Sequence, residues 1–292
     1  MIKKFDYTAI LGWSVSRYDR FKICKRQYYY EYYARFDSMY PKYKIDELKK
    51  LTSIPLAIGI TVHEVIKVLL ERLLKSEEEI DIKRFLDFAR RETEEYCRKN
   101  TFAEVYYKEI NFVNPQDLFN EIEKDLMNFL NSKRYKWLKT KAINSKDNWL
   151  IEPSGYGECR LQGIKAYCKV DFLFPVDNVV YITDWKTGKR DAEKHRKQLL
   201  GYVSWASYHF GKNPEEVIPV IAYLQPSYDE KTMKFNEYDI EKFIILVREE
   251  TEEMYSFCSD VGENIPEDKK KFIKTTNNRI CNYCNYRELC KD

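Results

Sequence analysis

Residues 179–188, VVYITDWKTG, contain an apolar, β-branched run that stops at Asp184, and Lys186 follows two places later. Such a run predicts a buried β-strand. Because side chains i and i+2 lie on the same face of a strand, the carboxylate and the ammonium group point the same way, and Trp185 points to the opposite face. A protein core has no use for two such charges, so the stretch is either a surface turn or a functional site.

The preceding strand, AYCKVDFLF, carries a second carboxylate, Asp171. A turn near Asp177-Asn178 would make Asp171 and Asp184 neighbours across an antiparallel strand pair or its diagonal. Two carboxylates placed in this way repel each other unless a cation lies between them, and Mg²⁺ favours one or two carboxylates together with waters and phosphate oxygens. Lys186 would then reach a metal-bound water or the attacked phosphate, where it could orient the water or stabilise charge on phosphorus.

Other segments add polar side chains that are weak signals when taken alone. His63 lies on the apolar face of a predicted helix, where a lone histidine is more often a packed core residue. Gln198 and Tyr202 are four positions apart and share one helix face. Glu158 lies at a strand end upstream of Asp171.

The pattern of elements predicts an α/β protein. Helices are predicted over 14–36, 57–75, 81–143 (several helices), 190–210 and 240–258. Strands are predicted over 149–158, 161–174, 178–186, 217–225 and 233–239, with turn signals at Pro153, Gly155 and Gly163. Residues 38–55 are predicted to be irregular, and Asn114-Pro115 is a good helix start. The order favours an α/β core with a mixed sheet and a helical insertion rather than a doubly wound fold.

Composition sets broad limits on the class of protein. Of the 292 residues, 44% are hydrophobic and 33% are charged, which is typical of a globular protein. No apolar run reaches the ~18 residues of a membrane span, and the N-terminus does not resemble a signal peptide, so a cytoplasmic location and no membrane partner are expected. The net charge of +3 neither proves nor excludes a nucleic-acid partner, because local patches matter more than the total.

The eight cysteines do not favour a disulfide framework in a chain that is expected to be cytoplasmic. Four are interpreted as scattered core residues: Cys97, Cys159, Cys168 and Cys258. Cys281, Cys284 and Cys290 lie in the C-terminal CNYCNYRELC, whereas Cys24 lies near the start. A zinc ribbon would require a second close pair, while four thiolates can hold a [4Fe–4S] cluster that would clasp the N-terminal helix to the tail. An iron–sulfur cluster is favoured, with zinc or no metal as alternatives.

The chain resembles the PD-(D/E)XK nuclease superfamily, and specifically its RecB-like branch, in an ordered set of residues: His63, Asp171, Asp184, Lys186, Gln198 and Tyr202. The resemblance implies a restriction-endonuclease-like core. It implies that the histidine and both aspartates bind the metal with the backbone carbonyl of Trp185, and that the lysine is catalytic. It implies that the Gln/Tyr helix supports the active site and the DNA. Glu158 would add a contact to a second metal or to the surroundings of the first.

The N-terminal VSRYDRFKICKRQYYYEYY resembles the opening Ser-x-Ser helix of that branch, although the cysteine there is usually followed by proline and here by Lys25. The one-plus-three cysteine arrangement resembles the iron–sulfur members of the branch, which are the AddB-type nuclease domain and the small exonucleases of CRISPR adaptation. In those members the cluster is structural. Basic residues near the cysteines are candidates for DNA contacts: Lys25, Arg26, Arg279 and Arg287.

The expected function is a Mg²⁺- or Mn²⁺-dependent DNA exonuclease that acts on single-stranded ends, in DNA repair or recombination or in CRISPR adaptation. Residues 1–292 are expected to form one nuclease domain, with a helical insertion over about 75–148 and a cysteine module of Cys24 plus 272–292. Two alternatives stay open: a catalytically silent DNA-end-binding subunit, and an endonuclease that trims DNA within a larger complex. Because the chain has no P-loop, unwinding would have to come from a helicase partner.

Overall fold

The computed structural model describes residues 2–76, 78–153 and 157–290, and the predicted turn residue Gly155 lies outside them. The α-helices in these ranges are α1 Val15–Ile23, α2 Lys25–Tyr33, α3 Lys42–Lys49, α4 Ile54–Lys75, α5 Ile82–Lys99, α6 Ala103–Tyr106, α7 Pro115–Leu130, α8 Lys133–Thr140, α9 Ala192–Phe210, α10 Glu237–Tyr255 and α11 Asn278–Asn282. The strands are β1 Leu150–Ile151, β2 Glu158–Leu161, β3 Ile164–Tyr167, β4 Phe172–Val176, β5 Val179–Lys186, β6 Val217–Tyr223, β7 Asp229–Thr232, β8 Cys258–Asp260 and β9 Ile265–Pro266. Short 3₁₀ turns cover Ala34–Phe36, Ala142–Asn148, Pro214–Glu216, Lys269–Lys271 and Arg287–Cys290. Among the described helices, none is long and apolar enough to cross a membrane.

The central sheet has five strands in the order β1-β4-β5-β6-β7. The β4–β5 pair is an antiparallel hairpin, as predicted, and its turn contains Asp177 in the left-handed region at φ 55°. Strands β5 and β6 are parallel, connected through α9, and β7 is antiparallel to β6. The sheet is therefore mixed, which confirms the predicted class of core.

Side chains of β5 alternate between two apolar cores, one on each face of the sheet. Val180 and Ile182 pack in the core that contains Leu199 and Val203 of α9. Trp185 packs in the other core, where its ring centroid lies 4.9 Å from that of Phe129 of α7. The alternation predicted for this strand is confirmed, and it leaves the even-numbered position 184 on the α9 face.

The residues after α4 fold into a helical layer that covers the Trp185 face of the sheet. Buried side chains of α4, α7 and α8 share one core with β4 and β5, including Leu69, Ile122 and Leu138. The start of α7 is as predicted: the Asn114 side chain accepts a hydrogen bond from the Gln116 N–H, and proline occupies the first helical turn. Most of the predicted helical segment 75–148 therefore packs on this face, whereas Tyr106 and Tyr107 contact the C-terminal tail.

A buried carboxylate in this layer leads to a stability prediction. Asp125 of α7 is fully buried; its Oδ2 accepts a hydrogen bond from Gln225 Nε2 at 3.1 Å, and its Oδ1 has no partner among the described residues. Burial raises the pKa of Asp125 to about 7. The folded protein therefore holds a proton that the unfolded chain releases near pH 4, so this group makes folding less favourable as pH rises from about 4 to about 7. Asp125→Asn should stabilise the fold at pH 8 by about 1 kcal/mol or more, with a gain that shrinks toward pH 4.

Urea unfolding at pH 5 and pH 8 measures this effect. Asp117→Asn, an exposed change at the start of the same helix, is the matched control and should show no such pH dependence. A gain for Asp125→Asn of the same size at both pH values would contradict the prediction.

The two ends of the chain meet at α2. Arg26 Nε donates to the carbonyl oxygen of Phe272 at 2.9 Å, and the Tyr30 hydroxyl donates to that of Leu289 at 3.2 Å. The Tyr286 hydroxyl donates to Glu31 Oε2 at 2.6 Å. Because these polar contacts enclose buried aromatic rings, the C-terminal tail forms part of the core and is not a free extension.

Two predicted strands are wrong in their extent or position. The predicted strand 161–174 covers the end of β2, all of β3 and the start of β4. The chain turns at Gly163 (φ 89°), β3 returns along β2 as a separate two-stranded sheet, and residues 168–171 lie in no strand before β4 begins. The predicted strand 233–239 lies earlier in the chain, as β7 Asp229–Thr232, and α10 begins at Glu237. There Asn236 and Asp239 form a capping box, in which each side chain accepts the backbone N–H of the other. A reciprocal cap of this kind outweighs the local strand pattern.

The N-terminal helix prediction is also corrected. Ser14 caps α1 as predicted, by accepting a hydrogen bond from the Arg17 N–H. The helix breaks at Cys24, whose backbone is extended (φ −158°, ψ 108°), and a second helix begins there. The segment 38–55, predicted to be irregular, contains α3 and the start of α4, because Pro41 lies at the N-cap of α3, where proline is tolerated, and not inside the helix.

Candidate active site

Asp184 lies near the carboxyl end of β5, two residues before the strand ends. Its side chain is buried, and its Oδ1 accepts hydrogen bonds from the Tyr202 hydroxyl at 2.7 Å and from Gln198 Nε2 at 3.1 Å. These two donors lie on the α9 face that the i, i+4 spacing predicts, and they are also bonded to each other. The two side chains thus hold one carboxylate oxygen and leave the other directed toward Lys186.

Lys186 and Asp184 form an ion pair at the carboxyl end of β5, the central strand of the sheet. Lys186 Nζ lies 2.5 Å from Asp184 Oδ2, and apart from this ion pair the oxygen receives no hydrogen bond within the described part of the chain. Burial would raise the pKa of Asp184, but the charge of Lys186 and the hydroxyl of Tyr202 together hold it below its ordinary value. Asp184 is therefore ionised, and the structure brings the two residues together as the sequence predicts.

Asp171 lies directly before β4. The register pairs Phe172 with Thr183, so its continuation by one residue sets Asp171 opposite Asp184. Asp171 Oδ2 is buried and receives no hydrogen bond in the described residues. Burial and then the charge of Asp184 raise the pKa of Asp171. The two carboxylates therefore differ: one is ionised and held by donors, and the other carries an unfavourable charge.

His63 of α4 approaches the pair from the side. Its Nε2 lies 2.8 Å from the carbonyl oxygen of Trp185. Because a carbonyl only accepts, Nε2 carries the hydrogen, and burial lowers the pKa of His63 so that the ring is neutral. Its Nδ1 lone pair then faces Asp171 Oδ2 at 3.4 Å. Two acceptors at this distance require a proton or a cation between them.

The site fits a hard divalent cation by its donor set. Mg²⁺ and Mn²⁺ take carboxylate and carbonyl oxygens and keep several waters, so two carboxylates and one carbonyl suffice. Asp171, Asp184 and the carbonyl of Trp185 supply such oxygens; among the described residues Asp171 Oδ2 has no hydrogen-bond donor, and Asp184 Oδ2 has only the Lys186 ammonium beside it. Across the described ranges, no three His, Cys, Asp or Glu side chains are arranged to hold a metal ion by themselves. Waters or a substrate phosphate would therefore have to complete the coordination.

The structure does not bring Glu158 to this cluster. Its carboxylate lies 2.6 Å from Arg160 on the separate β2–β3 hairpin. A third carboxylate near His63 is that of Glu152, whose backbone N–H donates to the carbonyl oxygen of Asp171 at 2.7 Å. Burial lowers the pKa of His63, whereas the charge of Asp184 and, less strongly, that of Glu152 raise it. Glu152 follows β1 with φ 40°, a turn conformation that the sequence pattern gave no means of predicting.

A second residue that the sequence interpretation missed is His195. Its Nδ1 lies 2.6 Å from the hydroxyl of Tyr223, which pairs with Lys186 in the parallel register. Burial, and then the charge of Lys186, lower the pKa of His195. His195 lies three residues before Gln198, on the same helix face. A polar i, i+3, i+7 pattern on an apolar helix could have signalled it.

The four cysteines of the predicted module lie at the start of α2 and on the tail that docks against α2, within range of one another's charge. Burial raises the pKa of Cys284 to about 12. The charges of the other three cysteines raise it further, and that of Cys290 has the largest effect of the three. Burial and the charge of Cys24 likewise raise the pKa of Cys290. Cys24 Sγ also accepts a hydrogen bond from the Gln27 N–H. The thiols are neighbours, but here too the described residues include no ready-made cage of three metal ligands.

The predicted DNA-contact residues are mostly engaged within the protein. Arg26 donates to backbone carbonyls of the tail. Lys25 pairs with Glu253 at 3.5 Å, and Arg287 pairs with Glu109 at 2.5 Å. Arg279 is exposed, and its side chain has no such partner in the described ranges. Three of the four side chains therefore make contacts within the protein, and Arg279 is the most accessible of the four.

The comparisons with known proteins bear on the family. No curated protein matches the chain. A solved structure described as "Crystal structure of SSO0001" is similar to it at 19% identity and a TM-score of 0.31, covering 64% of this chain and 78% of that one. Both values are too low to transfer a fold or a function from that protein. A family model described as the PD-(D/E)XK nuclease superfamily matches residues 12–291. The chain, with its paired aspartates and lysine at the end of β5, belongs to the PD-(D/E)XK nuclease superfamily.

Proposed function

We propose that this protein is a Mg²⁺- or Mn²⁺-dependent DNA exonuclease that acts on single-stranded ends. The observation that supports it best is the pair Asp171 and Asp184, which lie opposite each other: Asp171 Oδ2 receives no hydrogen bond from the described residues, and Asp184 Oδ2 is paired with Lys186. Family membership supports metal-dependent nuclease chemistry. The exonuclease mode, the single-stranded substrate and a setting in repair, recombination or CRISPR adaptation rest on the motif resemblance.

The residues have distinct roles in this proposal. His63 through Nδ1, the carboxylates of Asp171 and Asp184, and the Trp185 carbonyl would hold the cation. The cation would supply a nucleophilic water at neutral pH and neutralise charge on the phosphate. Lys186 Nζ donates to the attacking water or to a phosphate oxygen, where negative charge develops. Gln198 and Tyr202 keep Asp184 ionised and oriented through its Oδ1.

We include a [4Fe–4S] cluster held by Cys24, Cys281, Cys284 and Cys290 as a structural part of the proposal. Its support is the mutual influence of the thiols and the docking of the tail on α2. Thiolates are soft ligands that suit iron–sulfur clusters and zinc. Broad visible absorption of anaerobically purified protein is the expected result, and a colourless protein that contains zinc would replace the cluster with a zinc site.

Cleavage of defined DNA substrates tests the function. Full-length protein is incubated with end-labelled linear single strands, circular single strands and blunt duplex, with Mn²⁺ or Mg²⁺ and with EDTA as the metal-free control. Degradation of the linear single strand alone is expected, and Asp184→Asn should abolish it. Cleavage of circles would replace the exonuclease with an endonuclease, and binding without cleavage under either metal would favour a silent DNA-end-binding subunit.

A further inference from the structure

A cavity of about 690 Å³ opens beside the candidate site, between the first turn of α1 and α9. Lys186, Gln198 and Tyr202 line it, so it is continuous with the catalytic cluster. Its volume is in the range of small-molecule pockets. The cavity can therefore hold about one or two nucleotides but not a duplex. The proposed hydrolysis uses the cation ligands and Lys186 and does not by itself need this cavity.

The lining of this cavity is cationic. Besides Lys186 it contains Arg17, Lys169 and Lys194, and no Asp or Glu of the described residues lines it. Lys194 pairs with Asp19 at 3.1 Å, and Lys169 lies 3.8 Å from Glu152. Such partly exposed pairs contribute roughly 0–1 kcal/mol, so a phosphate can readily displace the carboxylates.

Arg17 is the most informative of these cations. Its guanidinium is half-buried and is held by neutral groups only. Nε donates to the Tyr28 hydroxyl at 3.1 Å, Nη1 donates to the Gly12 carbonyl at 3.3 Å, and the group lies over the Tyr32 ring at 4.2 Å. No carboxylate within the described chain pairs with it. It also lies in the first turn of α1, where the helix dipole disfavours a cation. The Arg17 charge is thus partly buried, lacks a carboxylate partner and lies at the unfavourable end of a helix dipole. Together these three costs indicate that an anion from outside the chain binds there.

Two tyrosine rings complete the lining. Tyr32 stacks on the Arg17 guanidinium, and Tyr167 lies against the backbone of Gly12, where an added Cβ would come within 2.3 Å of the ring. Because Gly12 has no side chain, the Tyr167 ring packs directly on the backbone, and this contact limits its orientation. Fixed aromatic rings beside cations are the elements that bind unpaired bases, at about 1–3 kcal/mol for each stacked base.

We infer that this cavity binds the phosphate and the unpaired base of the nucleotide next to the scissile phosphodiester, with Arg17 as the phosphate anchor. The nucleic acid must therefore be single-stranded at this point. The inference rests on the proposed function for its position beside the scissile bond, but the binding itself does not require cleavage.

Binding of fluorescein-labelled oligothymidine, measured by anisotropy in EDTA at several salt concentrations, tests the site apart from catalysis. Arg17→Gln and Lys194→Ala should each weaken binding about tenfold and lower the salt slope by about 0.7. Tyr167→Leu should weaken it, whereas Tyr167→Phe should not. Lys83→Ala, an exposed cation on α5, is the control. Lys194 is a surface residue, so its result stands even if Arg17→Gln folds poorly.

The possible results separate this inference from the proposed function. Wild-type protein that binds oligothymidine in an Arg17-dependent way without cleaving it under any metal would support the site and refute the nuclease. Normal cleavage with unchanged affinity and salt slope in both cation variants would overturn the site alone. Equal affinity for a blunt duplex would also overturn it. In cleavage assays, Lys194→Ala should raise KM with kcat nearly unchanged.

Discussion

Lys186→Ala should lower metal-dependent DNA cleavage by about 10²–10³-fold, while binding of oligothymidine in EDTA falls by no more than about tenfold, as for the other cations that line the cavity. The expected loss is that of one donor directed at the charge that develops in the transition state. Lys186 Nζ lies 2.5 Å from Asp184 Oδ2 at the exposed end of the strand, and no other lysine or arginine of the described residues pairs with that carboxylate. Lys186→Arg should not restore the rate, because a planar guanidinium cannot occupy the position of a compact ammonium group.

The experiment compares single-turnover rates of the variants with Mn²⁺ at saturating protein. Lys189→Ala, an exposed lysine three residues further along, is the matched control and should keep wild-type activity. Thermal unfolding of each variant separates a catalytic loss from a folding defect, which is necessary because the alanine leaves a buried carboxylate without its counter-ion. Wild-type rates for a folded Lys186→Ala protein would remove the lysine from the mechanism.

The central geometry of this site was accessible from sequence because it depends on short-range rules. Strand periodicity set Asp184 and Lys186 on one face and Trp185 in the opposite core, and a two-residue turn at Asp177-Asn178 aligned Asp171 with Asp184. The i, i+4 rule brought Gln198 and Tyr202 to the same carboxylate. Each of these relations spans fewer than about twenty residues and follows from backbone geometry alone.

The features that the sequence did not reveal depend on contacts between distant segments or on turn conformations. Glu152 reaches the site through a left-handed backbone angle, whereas Glu158, which looked equally suitable, is carried away by the β2–β3 hairpin. Arg17 became informative only when its surroundings proved to contain no carboxylate partner. The absence of a partner is a property of the folded chain, and no spacing rule predicts it.

The paired aspartates also represent a cost to the fold. Burial and the neighbouring charge of Asp184 raise the pKa of Asp171, so the folded state takes up a proton more readily than the unfolded chain does. Near neutral pH the ionised Asp171 therefore opposes folding when no cation is bound. A site arranged in this way trades stability for function.

Asp171→Asn should therefore act in opposite directions on stability and on activity. Without metal, the amide removes the repulsion between the two carboxylates, so Tm should rise by about 2–4 °C for each 1 kcal/mol gained. Cleavage should fall about a thousandfold, which corresponds to ~4 kcal/mol of lost transition-state stabilisation. The rise in Tm that Mn²⁺ causes in the wild-type protein should disappear, because that rise measures binding to the folded state.

Asp177→Asn, an exposed change in the turn of the same hairpin, should keep both the activity and the Mn²⁺ effect. A metal-free Asp171→Asn protein that is less stable than wild type, or that still gains stability from Mn²⁺, would show that the pair Asp171 and Asp184 is a structural contact and not the cation site.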